Sequence, residues 1–276
     1  MLSEAIITFR ETLEAALVVG IILAYLNKTK QTAYNPTVYL AVASAIVGSI
    51  LTAFAFTLLI GEFKGPAENL FEGGTMLFAA LLLTTMIFWM LQQKQVRQDL
   101  EEKVTAEVSR RNKLGLFALV FASVLREGVE TVIFLGAGGF SANATALGRF
   151  AGSFLGIFLA LACGFILFVQ ARRLNIKKFF HATSIVLILF AAGLVARGVY
   201  ELQEGGFLQG YGEPVWDVNP PQNPDGSYPL LHDKGFIGGL AGDLFGYTGS
   251  PSLLEAASYA LYLAFAVLLY ARTSKG

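Results

Sequence analysis

The 276-residue chain is 55% hydrophobic and only 14% charged, with a mean hydropathy of +0.59. A water-soluble domain carries about a quarter charged residues, so the composition excludes one and points to an all-α polytopic membrane protein. The single cysteine, Cys163, excludes an intrachain disulfide framework and a multi-cysteine metal site, and the 20 basic and 20 acidic residues cancel, so their distribution is what informs.

Apolar stretches of about 20 residues, enough to cross ~30 Å of hydrocarbon as a helix, predict seven spans: 4–26, 36–60, 70–92, 114–136, 147–170, 181–203 and 252–272. The first contains FRETLEAALVVG (residues 9–20), which puts Arg10, Glu11 and Glu14 inside an apolar run. A cleavable leader has a basic start and an uninterrupted apolar centre, so this span is expected to stay in the mature protein. Span two carries Ala41, Ala45, Ser49 and Ala53 at intervals of four, and Glu68 and Glu72 open span three. The linker QQKQVRQDLEEKVTAEVSRRNK mixes both charge signs and reads as a solvated helix.

Span four contains LREGVETVIFL (residues 125–135), where Arg126, Glu127 and Glu130 repeat the spacing R-E-x-x-E. Span five places Gly148, Gly152, Gly156, Ala160 and Gly164 at intervals of four, a stripe that lets helix backbones approach closely in lipid. Span six ends in RGVYELQEGG, with Arg197 four residues before Glu201 and Glu204 beyond it. Residues 204–251 hold six of the eight prolines and then GFIGGLAGDLFGYTGSP, a density of breakers that argues against a long helix. Glu213, Asp217, Asp225, Asp233 and Asp243 make this segment acidic, as a solvated lid or as a surface that gathers cations or docks a partner. His181 and His232 have no second histidine at ligand spacing and read as non-ligands.

Basic residues alternate between linkers. Lys28, Lys30, Lys94, Arg97, Lys103, Arg110, Arg111, Lys113, Arg172, Arg173, Lys177, Lys178, Arg272 and Lys275 fall on one side, and Lys64, Arg149 and Lys234 on the other. The positive-inside rule then puts the N-terminus outside and the C-terminus in the cytoplasm. The two R-E-x-x-E motifs lead spans one and four, which run in opposite directions. The chain therefore reads as a 3+3 inverted repeat plus one helix, in a single transmembrane domain: 1–92 the first repeat, 93–113 a cytoplasmic linker, 114–203 the second repeat, 204–251 an external loop and 252–276 the seventh helix and tail. Thr12 and Gly128 each lie about eight residues, or ~12 Å, from the outer end, so the motifs are expected to face each other where the halves meet.

In a helix Arg at i and Glu at i+4 stand above one another, and Glu at i+1 shares their face. Four carboxylates and two guanidiniums then converge in a low-dielectric setting. Each carboxylate offers hard oxygen donors to a hard cation, while the arginines hold the acids in place in the empty site and weaken the loaded one. The competing reading is a pair of ion pairs, Arg10–Glu14 and Arg126–Glu130, that only locks helices. Ionisable groups inside spans are costly and mark pathways, and two copies in inverted halves favour a site.

Two R-E-x-x-E motifs in the first and fourth of seven spans resemble the ferric iron permease family, the oxidase-dependent iron transporters of fungi and their bacterial single-subunit relatives. The resemblance covers nearly the whole chain. It implies high-affinity import of iron, ferric by family habit, with Arg10, Glu11, Glu14, Arg126, Glu127 and Glu130 forming the translocation site. It also implies a bacterial inner membrane and an external iron oxidase, peroxidase or iron-binding protein as partner. Glu14 and Glu130 are the first choice of metal ligands, Glu11 and Glu127 assist, and Glu72 and Glu201 are candidates for an access step above the site. Iron is expected as cargo, with no permanently bound cofactor and no nucleic-acid partner. The rival readings are a carboxylate carrier for manganese, lead or protons, and an intramembrane metal-dependent enzyme. The enzyme would need a nucleophilic or phosphate-gripping set that the sequence does not display, and no nucleotide-binding P-loop is present.

Overall fold

The computed structural model describes residues 2–92, 96–141, 146–169, 176–208, 214–223 and 228–273. Lys94, Arg172, Arg173, Glu213, Asp225 and Lys275 lie outside the described residues, as do the side chains of Arg97, Lys177, Lys178, His181 and Asp243. Among the described residues a 3-10 turn at Thr32–Tyr34 joins nine α-helices: α1 Leu2–Lys28, α2 Asn35–Glu62, α3 Pro66–Gln92, α4 Val96–Ser109, α5 Lys113–Ser141, α6 Ala146–Val169, α7 Ile176–Glu204, α8 Phe236–Phe245 and α9 Leu253–Thr273.

Each expected span falls, to within a residue, inside one of the seven long helices α1, α2, α3, α5, α6, α7 and α9. Segments of α3, α6, α7 and α9, and one running from the 3-10 turn through α2, are long and apolar enough to cross a membrane. α1 and α5 have the length, 27 and 29 residues, or about 40 Å at the helical rise. They fall short in apolarity because every 18-residue window of either contains at least three charged residues, those of the R-E-x-x-E motifs among them.

The apolar surface is distributed as lipid would require. α2 turns Leu40, Ile50 and Phe54 outward, and α6 does the same with Phe150, Phe154, Phe158 and Phe165. α3 and α7 lie deeper, with roughly half of their apolar windows buried (44% and 56%, against 6% for the window through α2). A face of exposed phenylalanines would be a liability in water and is ordinary against hydrocarbon.

The helices pack in crossed pairs: α1 on α6, α5 on α2, α3 on α7, and α1 against α5. The small-residue stripes make these contacts. Gly152, Gly156, Ala160 and Gly164 of α6 are buried, as are Ala41 and Ala45 of α2. Thr8 of α1 donates to the Ser153 carbonyl of α6 at 3.0 Å, and a Cβ on Gly156 would collide with Thr8 Oγ1 and the Ala5 carbonyl and stand 2.9 Å from the Phe9 nitrogen. A Cβ on Gly164 would meet Ala16 Cβ at an ordinary 3.4 Å. Gly156→Ala is therefore expected to destabilise the protein by about 1–3 kcal/mol, because backbone cannot step aside. Gly164→Ala should be close to neutral. Thermal unfolding in detergent checks the pair, and equal shifts would mean that the α1–α6 contact is looser than described.

Two buried hydrophobic clusters divide the interior. One gathers Ile7, Met76, Leu83, Ile87, Phe134, Leu187, Phe190 and Ala266 from α1, α3, α5, α7 and α9. The other gathers Ile22, Leu26, Tyr34, Val38, Val104, Leu116 and Val120 from α1, the 3-10 turn, α2, α4 and α5. Val104 corrects the reading of the linker as a solvated helix: α4 is helical, but its apolar side seals against α1 and α5, and Thr105 bonds Tyr25 at 2.5 Å. The segment 204–251 also holds a helix the breakers concealed. α8 is ten residues of FIGGLAGDLF, closed by Gly246 in the left-handed region (φ 67), and it packs on α7, α1 and α5. Gly246 rests directly on Gly193 of α7, where a Cβ would lie 2.7 Å from the Gly246 Cα.

Candidate functional site

Along both α1 and α5, the stretch between the two hydrophobic clusters is the R-E-x-x-E motif. Ile7 lies on one side of it and Ile22 on the other in α1; Phe134 and Val124 flank it in α5. The antiparallel packing of α1 and α5 sets the motifs at one level. Glu11, Glu14 and Glu127 each offer a carboxylate oxygen, all within 4.8 Å of one another, the one such trio found among the described residues. Two unit charges 4.8 Å apart repel by about 3.5 kcal/mol at an effective dielectric near 20, so three carboxylates held this close in a buried place favour a cation between them.

The arginines supply part of that charge. Arg10 is fully buried; its Nη1 donates to Glu11 Oε1 at 2.6 Å and its Nη2 lies 3.0 Å from Glu14 Oε1. The same Nη1 lies 3.1 Å from Met86 Sδ, on α3. Arg126 is half exposed, at 48% of its side chain; its Nε donates to Glu130 Oε1 at 2.7 Å and lies 3.9 Å from Glu127 Oε1. Both i,i+4 ion pairs therefore form, within helices, and the carboxylates meet between helices. Glu11 Oε2, Glu127 Oε2 and Glu130 Oε2 are buried without a hydrogen-bond partner, a state that is costly for a carboxylate oxygen.

The sequence put Glu14 and Glu130 first. The structure gathers Glu11, Glu14 and Glu127, with Glu130 beside them and drawn toward Arg126. Glu130 is still within electrostatic reach of Glu14 and Arg10.

Glu72 and Glu201 meet elsewhere. Gly73 and Gly198 let α3 and α7 cross tightly, each Cβ position falling 2.8–3.0 Å from the other's carbonyl oxygen. Glu201 is buried there, 3.4 Å from Arg197 Nε, and accepts from Asn69 Nδ2 at 3.3 Å. Glu72 is partly buried, with Glu201, Glu68, Arg197 and Glu204 as charged neighbours. Fourteen residues of α3 separate Glu72 from Met86, about 21 Å along the helix, so the two acid groups are distinct. The Gly246 tip of α8 touches α7 at Gly193, among Phe190, Ala191 and Leu194 of the first hydrophobic cluster.

Two loop acids serve structure instead. Asp233 accepts from Gly249 N at 2.7 Å and Asn219 Nδ2 at 2.8 Å, and Asp217 accepts from Asn219 N at 3.0 Å. His232 Nδ1 accepts from Lys234 N at 2.9 Å, and its ring packs on Tyr228. Sequence reasoning passed over Glu255, buried at the start of α9. It bonds reciprocally with Ser252, Ser252 N to Glu255 Oε2 at 3.3 Å and Glu255 N to Ser252 Oγ at 3.1 Å, and the S-x-x-E spacing is the signal for that capping box. Met86 was also missed, and nothing in an apolar span distinguishes one methionine from its neighbours.

Comparison with known proteins bears on what such a site serves. The chain is 33% identical over 265 residues to an uncharacterized protein of Archaeoglobus fulgidus, covering 96% of this chain and 92% of that one. It is 32% identical over 271 residues to the ferrous iron permease EfeU of Escherichia coli O157:H7 (96% and 94% covered) and 31% identical over 268 residues to the ferrous iron permease EfeU of Yersinia pestis (96% and 91%). No solved structure matches the chain. The iron permease FTR1 family matches from residue 1 to residue 275, both R-E-x-x-E helices included, and the chain accordingly belongs to that family of membrane permeases, transporters and not enzymes.

Proposed function

We propose that the chain imports iron across the cell membrane through one site built from both R-E-x-x-E motifs. The observation that carries this reading is the trio of carboxylate oxygens from α1 and α5 within 4.8 Å, set between two sealed apolar clusters. Arg10 and Arg126 act as tethered counter-ions that hold the acids apart when no ion is bound and oppose it when one is, so that the ion leaves again.

Seven spans in a 3+3 inverted repeat, with the N-terminus outside, fit this role. The exchange of partners, α1 on α6 and α5 on α2, is the pattern that a two-fold relation between halves demands. Transport then alternates: the cluster around Ile7 and Phe134 opens toward one side, or the cluster around Ile22 and Val120 toward the other, with the carboxylates between them. Glu72 and Glu201, at the crossing of α3 and α7, serve as the access step.

Charge favours a ferrous cargo. With all six groups ionised, four carboxylates against two guanidiniums leave two negative charges, which a divalent ion neutralises and a trivalent ion exceeds. The ferric reading carried by the family resemblance is the competitor, and one experiment separates them. Vesicles reconstituted with the full chain should accumulate radioactive iron supplied as Fe(II) with ascorbate, and far less supplied as ferric citrate. Uptake from the ferric form alone would overturn the ferrous assignment, and uptake from neither would overturn iron as the cargo of the chain acting by itself.

A further inference from the structure

We propose that Met86 is a selectivity residue of this transport site, the soft donor that lets an otherwise hard carboxylate set prefer iron to manganese. The proposal rests on the R-E-x-x-E reading above. Met86 is 6% exposed on α3, and its Sδ lies 3.1 Å from Arg10 Nη1, the nitrogen that also binds Glu11 Oε1 at 2.6 Å. The thioether therefore stands one guanidinium nitrogen away from the Glu11 carboxylate of the trio.

A thioether sulfur is a weak acceptor, a poor partner for a fully buried guanidinium if holding Arg10 were its whole task. It is also polarisable and carried on an unbranched side chain that changes rotamer easily. An ion entering the trio takes Glu11 Oε1 and Glu14 Oε1 from Arg10 and repels its guanidinium. Whatever position Nη1 gives up lies between Met86 Sδ and the ion. The sulfur then faces the cargo directly, as a fourth donor from a third helix. Carboxylates alone separate manganese from ferrous iron poorly, since affinity at such sites rises only gradually along the first-row series; a softer donor widens the gap in favour of the later metal. No bond to the protein is made or broken covalently, and no electron moves.

The test uses the full chain in vesicles, on a Cys163→Ser background so that Met86 is the nearest sulfur in question. Met86→Leu keeps volume and apolarity; Met86→Gln puts a hard oxygen at similar reach. In the leucine variant the iron concentration for half-maximal Fe(II) uptake should rise about tenfold while that for Mn(II) stays near the parent's, so that Mn(II) competes about tenfold better, the loss of one modest donor interaction. In the glutamine variant Mn(II) should compete at least as well. X-ray absorption at the iron edge of the loaded parent protein should show a sulfur neighbour that the leucine variant lacks.

Unchanged manganese competition in both variants, or oxygen-only scattering around iron in the parent, would overturn the proposal, as would an equal loss of both ions in folded Met86→Leu. These results are distinct from failure of the underlying site. Glu14→Gln and Glu127→Gln that transport normally would remove the R-E-x-x-E reading itself, whatever Met86 does.

Discussion

Glu11→Gln, Glu14→Gln and Glu127→Gln, each made alone, are expected to lower Fe(II) uptake at limiting iron by two orders of magnitude or more, with Glu130→Gln falling less far. Glutamine keeps the shape of glutamate and removes its charge. One carboxylate acting on a divalent ion from within the 4.8 Å of the trio contributes, at an effective dielectric near 20, several kcal/mol, and each 1.4 kcal/mol is about tenfold in affinity. Glu130 stands apart because its carboxylate is engaged at 2.7 Å by Arg126. The measurement is initial-rate uptake against iron concentration, in vesicles whose protein content and melting temperature match the parent. An ion-pair lock without a transport role predicts the opposite signature: lowered melting temperature with uptake per folded molecule unchanged. A Glu130 variant more damaged than Glu127 would restore the pairing of Glu14 with Glu130 that the sequence alone suggests.

The sequence made that pairing attractive for a physical reason. Helical spacing places Glu14 four residues from Arg10 and Glu130 four from Arg126, and the symmetry of the motif gives both the same rank. What spacing omits is how the two helices meet. Rotation of α5 against α1 decides which glutamate of the second motif enters the trio, and Gly128 of that motif faces Ser49 of α2, where a Cβ would collide with its side chain. Span positions were legible because about 20 apolar residues in a row have few alternatives. The small-residue stripes were legible for a similar reason, since close helix packing in lipid has few other solutions. α8 was not legible: five of its flanking and internal residues are glycine, which lowers helix propensity, and its helicity comes from being held between α7, α1 and α5. Nor was the buried side of α4, where Leu100, Val104 and Val108 recur every four residues among a majority of polar and charged neighbours.

The two arginines of the motif, identical in sequence context, are expected to differ sharply in what they stabilise. Arg10 is 0% exposed and lies within 3.0 Å of both Glu11 and Glu14. Replacing it with leucine leaves those carboxylates buried without their counter-charge, a change that costs about 3–5 kcal/mol when one partner of a buried pair is lost. Arg126 has 48% of its side chain exposed, and an ion pair that water entering an open transport path screens contributes about 0–1 kcal/mol. Arg10→Leu should therefore unfold at markedly lower temperature than the parent in detergent, and Arg126→Leu should not. Arg10→Lys should recover only part of the loss, because a single ammonium cannot hold Glu11 and Glu14 in the planar fork that a guanidinium provides. Added Fe(II) should restore Arg10→Leu more than the parent, since a bound divalent ion replaces the missing charge and ligand binding to the folded state raises stability by mass action. Equal destabilisation of the two leucine variants would mean that the halves are electrostatically equivalent. Failure of iron to rescue Arg10→Leu would separate Arg10 from the cation site and leave it as a tie between α1 and α3.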